Sequence, residues 1–127
     1  MTIHAVRQFA FTVFILAGAG LLTAGVSAHL TVTRTMPADE STVSAPPERV
    51  QVWFSQAASP RLSRLELRGP GGDVALGEIE VDSKERSISA ALAAPLMPGR
   101  YEAAWRTAGD DGHVMRGTFT FTLTPAE

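Results

Sequence analysis

Two short stretches of the 127-residue chain carry side chains able to hold a metal. One is Val26-Ser27-Ala28-His29, a histidine directly after small residues, and the other is Gly109-Asp110-Asp111-Gly112-His113. Asp111 and His113 stand two residues apart in a glycine-containing turn, so a carboxylate oxygen and an imidazole nitrogen can aim at one point outside the loop. Alone, Asp-x-His is a weak motif, because a loop histidine is more often simply solvated. The inventory gives it weight. The chain has three histidines (His4, His29 and His113) and no cysteine. That absence excludes disulfides, thiolate zinc sites, iron–sulfur clusters and a cysteine nucleophile. No nucleophile paired with a base is visible, and histidines used as ligands leave no histidine for general-base work. Enzymatic turnover is not expected.

The segment before His29 changes what that residue can do. Residues 9–22 read FAFTVFILAGAGLL, after a short start carrying Arg7 and before TAGVSA. A charged start, an apolar middle and an A-x-A-like end make residues 1–28 a secretory signal cut after Ala28. The rival reading is a permanent anchor, but the run falls short of the roughly twenty apolar residues that a bilayer span needs. Cleavage leaves residues 29–127 as the exported domain, periplasmic where the host has two membranes. It also removes His4 and makes His29 the first residue. The new α-amine (pKa about 7.7–8.0 in model compounds) and the imidazole then belong to one residue and can close a chelate. The bland reading is that some residue must come first. Against it, His29 and His113 would be the entire histidine content of the exported domain, and both would serve one site. Imidazole in nitrogen-rich, planar coordination favours Cu(II).

The elements that must position these residues are strands. Residues 30–34 alternate, and residues 36–41 form a turn. Val50, Val52 and Phe54 fall on one face of residues 49–55, the period-two mark of a half-buried strand. Residues 64–68 alternate again and stop at Gly69-Pro70-Gly71-Gly72-Asp73. Shorter runs cover residues 74–81 and 87–92. Pro98-Gly99 opens a strand over residues 100–106, and Phe119, Phe121 and Leu123 share one face of the last strand, residues 117–123. About seven strands with turns between them, and no helical period, predict an immunoglobulin-like β-sandwich or small barrel. The loop 109–113 then lies at one end of it. The length leaves room for one domain. A net charge of −2 and a pI near 5.9 argue against nucleic acid as the main partner. Trp53 and Trp105 read as core or near-core aromatics, and Met36, Met97 and Met115 as core filling. Asp110 reads as a solvated loop acid. Arg106, beside Trp105, is a candidate to pair with an acid near the loop.

At these residues the chain resembles the CopC family of periplasmic copper-binding proteins. The similar stretches are VSA-HL, TRTMPADESTV, VQVWFS, APLMPGRYEAAWRT and DDGHVMRGTFTFTL. The run from PG-x-Y through W-R to D-G-H and G-T-F-x-F is the most specific. The resemblance implies a seven-stranded, cupredoxin- or immunoglobulin-like Greek-key β-sandwich. It implies Cu(II) held by the amine and imidazole of His29 with Asp111 and His113, and a CopD-type inner-membrane copper transporter as partner, in copper homeostasis or resistance. Two departures stand out. Some relatives carry a glutamate where this chain has neutral Gln56, which is left out of the ligand set. The methionines are scattered, with no histidine nearby, so the Cu(I) site of methionine-rich relatives is not expected. Two other readings remain open: a histidine-brace oxidase of the lytic polysaccharide monooxygenase type, and a metal-free structural sandwich.

Overall fold

The computed structural model describes residues 29–126. The proposed signal, residues 1–28, lies outside the described residues. Nine strands follow in chain order: β1 Val32–Met36, β2 Ser41–Val43, β3 Arg49–Phe54, β4 Arg64–Gly69, β5 Gly72–Val74, β6 Glu80–Asp82, β7 Ser87–Ala91, β8 Gly99–Ala108 and β9 Val114–Leu123. They build two sheets, one of order β1-β3-β7-β6 and one of order β2-β9-β8-β4-β5. The chain crosses between sheets after β1, β2, β3, β5 and β7, which makes a Greek-key β-sandwich with no helix among the described residues.

Six of the seven expected strands are present, with two differences elsewhere. The run 74–81 is not one strand, because Val74 ends β5 and pairs with β4 in one sheet, residues 80–81 belong to β6 and pair with β7 in the other, and residues 75–79 between them lie outside the strands. Ser41–Val43, next to the expected turn, pairs parallel with β9. Such short pieces show too little alternation to be read locally. Their strand character comes from the partner.

Alternation sets the core. Val50, Val52 and Phe54 of β3 and Ile88 and Ala90 of β7 face Leu65 and Leu67 of β4, Tyr101, Ala103 and Trp105 of β8, and Phe119, Phe121 and Leu123 of β9. Aromatic pairs tie the layers: Phe54 meets Trp105 edge-on at 5.1 Å between centroids, and Tyr101 stacks on Phe121 at 5.4 Å. Each fully buried large side chain contributes roughly 1.5–3 kcal/mol relative to exposure. Gly117 lies opposite Trp105, and a Cβ there would stand 2.6 Å from the indole, so the ring occupies the space that a side chain would need.

Three expectations are corrected. Trp53 is not a core residue. It lies on the outer face, where the Arg34 guanidinium covers its ring at 3.7 Å and its Nε1 donates to Glu85 at 3.2 Å. Of the methionines among the described residues only Met115 packs against the core, whereas Met36 is 38% and Met97 77% exposed. Arg106 forms no ion pair among the described residues, and its Nε is buried without a hydrogen-bond partner.

Candidate metal centre

β8 and β9 pair continuously from Gly99–Leu123 to Ala108–Val114, so residues 109–113 form the tip of a long, rigid hairpin. The tip contains a turn closed by the Gly112 N–H donating to the Gly109 carbonyl at 3.1 Å. Gly112 takes φ +74°, a left-handed conformation that glycine adopts without a Cβ penalty. Gly109 has a different reason to be glycine: a Cβ there would lie 2.5 Å from Gln56 Oε1 and 3.2 Å from Leu30 Cβ. The loop therefore sits directly on the segment after β3 and on the start of the described chain.

That start is held by its second residue. Leu30 is 1% exposed and belongs to the core cluster, while His29 beside it is exposed. Thr31 is fastened in both directions to Ser55, its N–H donating to Ser55 Oγ at 3.0 Å and its carbonyl accepting from the Ser55 N–H at 2.8 Å. Below the hairpin tip, the Ser59 N–H donates to the Ala108 carbonyl at 2.9 Å, and the buried hydroxyls of Ser63 and Thr107 bond at 2.8 Å.

The result is a convergence of three predicted residues. Oδ2 of Asp111 accepts hydrogen bonds from Nδ1 of His29 at 3.0 Å and from Nδ1 of His113 at 3.1 Å. Its Oδ1 accepts the His113 backbone N–H at 3.1 Å. The two imidazole centroids stand 5.4 Å apart. Among the described residues, these three form the one group of potential metal-ligating side chains whose donor atoms all lie within 4.8 Å of one another. Both imidazoles are solvent-accessible, at 54% and 68%, and the carboxylate is more enclosed at 19%. Asp111 is held below the usual carboxylate range, chiefly by the backbone N–H of His113. Burial opposes that shift, and the two imidazoles add to it.

Asp110, the other acid of the loop, is exposed. Its contribution is a backbone one, since its N–H donates to Gln56 Oε1 at 3.1 Å. Gln56 is thus not in the group of three, but it touches the loop that carries two of them. Leu30, Ser55 and Gly109 complete this support. Only the adjacency of Leu30 to His29 was visible in sequence. A cleft of about 510 Å³, lined by residues such as Pro70, Pro95, Leu96 and Met97, contributes none of these groups and lies at the opposite end of β8. Ligand convergence marks a metal site better than volume does.

The donor set suits a borderline divalent ion, having two imidazole nitrogens and a carboxylate with no thiolate. A family model for the CopC domain matches residues 32–124. The chain belongs to the CopC family. CopC-family relatives include the copper resistance protein C of Xanthomonas campestris pv. juglandis, 29% identical over 126 residues, covering 94% of this chain and 98% of that one. Protein YobA of Escherichia coli K12 is 29% identical over 105 residues, covering 81% of this chain and 85% of YobA. The crystal structure of CopC from Methylosinus trichosporium OB3b superposes with a TM-score of 0.70 at 25% identity, covering 78% of this chain and 97% of that one. PcoC, a methionine-rich copper resistance protein from E. coli, superposes at 0.68 with 27% identity, covering 76% of this chain and all of PcoC.

Proposed function

We propose that this CopC-family chain is an exported, periplasmic protein that binds Cu(II) through His29, Asp111 and His113, for copper homeostasis or resistance or for delivery to a CopD-type membrane transporter. The observation that carries the reading is the meeting of His29 and His113 on one carboxylate oxygen, although His29 and Asp111 are 82 residues apart. The family, and relatives named for copper resistance, support copper as the ion.

In the metal-free site Oδ2 of Asp111 lies within hydrogen-bond distance of both imidazoles. A divalent ion held by these three residues would replace those hydrogen bonds, with the Asp111 carboxylate as a ligand. Cleavage after Ala28 adds the α-amine of His29 to the same cluster. Gln56 and Leu30 keep the two halves of the site in register, so binding requires little rearrangement of the scaffold.

The test combines N-terminal sequencing of the exported protein with Cu(II) titration. A mature chain beginning at His29 is expected, with affinity falling at least a hundredfold in His29→Ala and in His113→Ala, and likewise when an extra Met precedes His29. A different first residue, or unchanged affinity in these variants, overturns the reading. Acidification is expected to release the ion, because ligation needs deprotonated nitrogens. The carrier reading further expects that the copper-loaded protein, given reductant, peroxide and polysaccharide, yields no oxidised sugars. Their appearance would establish the oxidase alternative.

A further inference from the structure

Three arginines lie side by side on the outer face of the five-stranded sheet. The antiparallel register sets Arg64 of β4 opposite Arg106 of β8, and Arg106 opposite Arg116 of β9. With strands about 4.8 Å apart, the row spans roughly 10 Å across the sheet. Like charges directly opposite one another destabilise a sheet, and among the described residues no ion pair offsets them. Arg49 pairs with Glu80 and Arg68 with Asp73, but none of the three arginines enters an ion pair. Nε of Arg106 is buried with no acceptor. Arg64 is held in place, its Nη1 donating to the carbonyls of Ser63 at 2.7 Å and Arg61 at 3.3 Å.

The row edges a groove of about 350 Å³ that also includes Glu66, Ala104 and Thr118, with the small Ala104 between Glu66 and Thr118 in the sheet. Its position along the strands matters. Arg106–Arg116 is two register pairs from Ala108–Val114, where the loop bearing Asp111 and His113 begins. That is about 7 Å along the hairpin.

We infer that this row is a docking surface for an extended, carboxylate-rich segment of a protein partner, laid across β4, β8 and β9 beside the metal loop. Guanidinium forks match carboxylates in bidentate fashion. Three forks in line suit a series of carboxylates better than one point-like anion. Thr118 in the same groove offers a hydroxyl to a peptide. A row only about 10 Å wide suits a local acidic segment better than the broad surface of a charged membrane. Docking neutralises the row. The surface needs no metal, so the inference stands apart from the copper reading. If both hold, the partner's acidic segment lies next to the ion.

The probe is a hexaglutamate peptide titrated into the metal-free exported protein at low salt. The expected result is binding that weakens as salt is raised and falls at least tenfold in Arg106→Gln and in Arg116→Gln, with Arg106→Lys intermediate. His113→Ala is expected to retain full peptide binding, which separates this surface from the metal site. Because Arg116→Gln relieves repulsion, it should melt at the same or a higher temperature than the parent, so loss of binding there is not loss of fold. The inference is overturned by an absence of peptide binding, by equal binding in the glutamine variants, or by a lowered melting temperature accompanying the loss. Binding of inorganic phosphate or phosphatidylglycerol vesicles that the peptide does not compete away overturns it as well.

Discussion

At the scale of the residue, Asp111 organises the site. One carboxylate satisfies two imidazoles and a backbone N–H, so its charged form is favoured in the folded state. The sign of the consequence follows from the lowered pKa. The stabilisation is present in full above the ordinary carboxylate range and is lost as pH falls through the lowered value. Metal-free protein should therefore lose this contribution only in strong acid. Asp111→Asn lacks it at every pH. Melting temperatures followed from neutral to strongly acidic pH should show the parent above the variant at neutral pH, and the two converging once Asp111 is protonated. A gap independent of pH would contradict this account.

At the scale of the element, the site joins a hairpin tip to the beginning of a strand, and both are held from behind. Leu30 fixes His29 by burying its own side chain in the core, and Gln56 fixes the loop through the Asp110 N–H. Leu30→Ala is expected to destabilise the fold by about 2–5 kcal/mol, the usual range for truncating a buried leucine, and to weaken Cu(II) binding by freeing the first residue. Gln56→Ala removes a hydrogen bond of about 0.5–1.5 kcal/mol net. It should reduce Cu(II) affinity between about twofold and about tenfold and lower the melting temperature by about 2–12 °C. Denaturant melts paired with copper titration of the two variants distinguish anchoring from ligation, since loss comparable to His113→Ala in the Gln56 variant would make Gln56 a ligand.

At the scale of the whole molecule, the two sheets share one core and one candidate site. Their shared core carries the stability, and its removal should be felt without reference to copper. Phe119→Ala is expected to cost about 3–5 kcal/mol while leaving affinity nearly unchanged in whatever fraction remains folded. The site itself joins the lead-in to β1 of one sheet to the β8–β9 loop of the other. An ion bound there ties together segments that unfolding would separate. At a hundredfold excess over Kd, binding only the folded form adds about 2.7 kcal/mol. Each kcal/mol shifts the melting temperature by about 4–8 °C in a domain of this size, so copper should raise it by about 10–20 °C. Calorimetry with and without Cu(II) checks this, and no shift would mean no specific site.

Much of this was legible locally. Alternation at Val50, Val52 and Phe54, and again at Phe119, Phe121 and Leu123, marks inward faces that the sheets use. The same alternation puts Trp53 outside, so the expectation of a core or near-core Trp53 came from residue type overriding period. The three-residue strands β2, β5 and β6 carry no comparable signal, because pairing partners distant in sequence define them. By itself the sequence determined the sandwich, the absence of thiolate chemistry and the candidate ligands His29, Asp111 and His113. Only the tertiary structure decided that Asp111 and not Asp110 receives both imidazoles, that Gln56 and Leu30 support them, and that Arg64, Arg106 and Arg116 align. The reason is physical: side-chain period is a local property of the backbone, whereas contacts across 82 residues exist only once two sheets have packed and their registers are set.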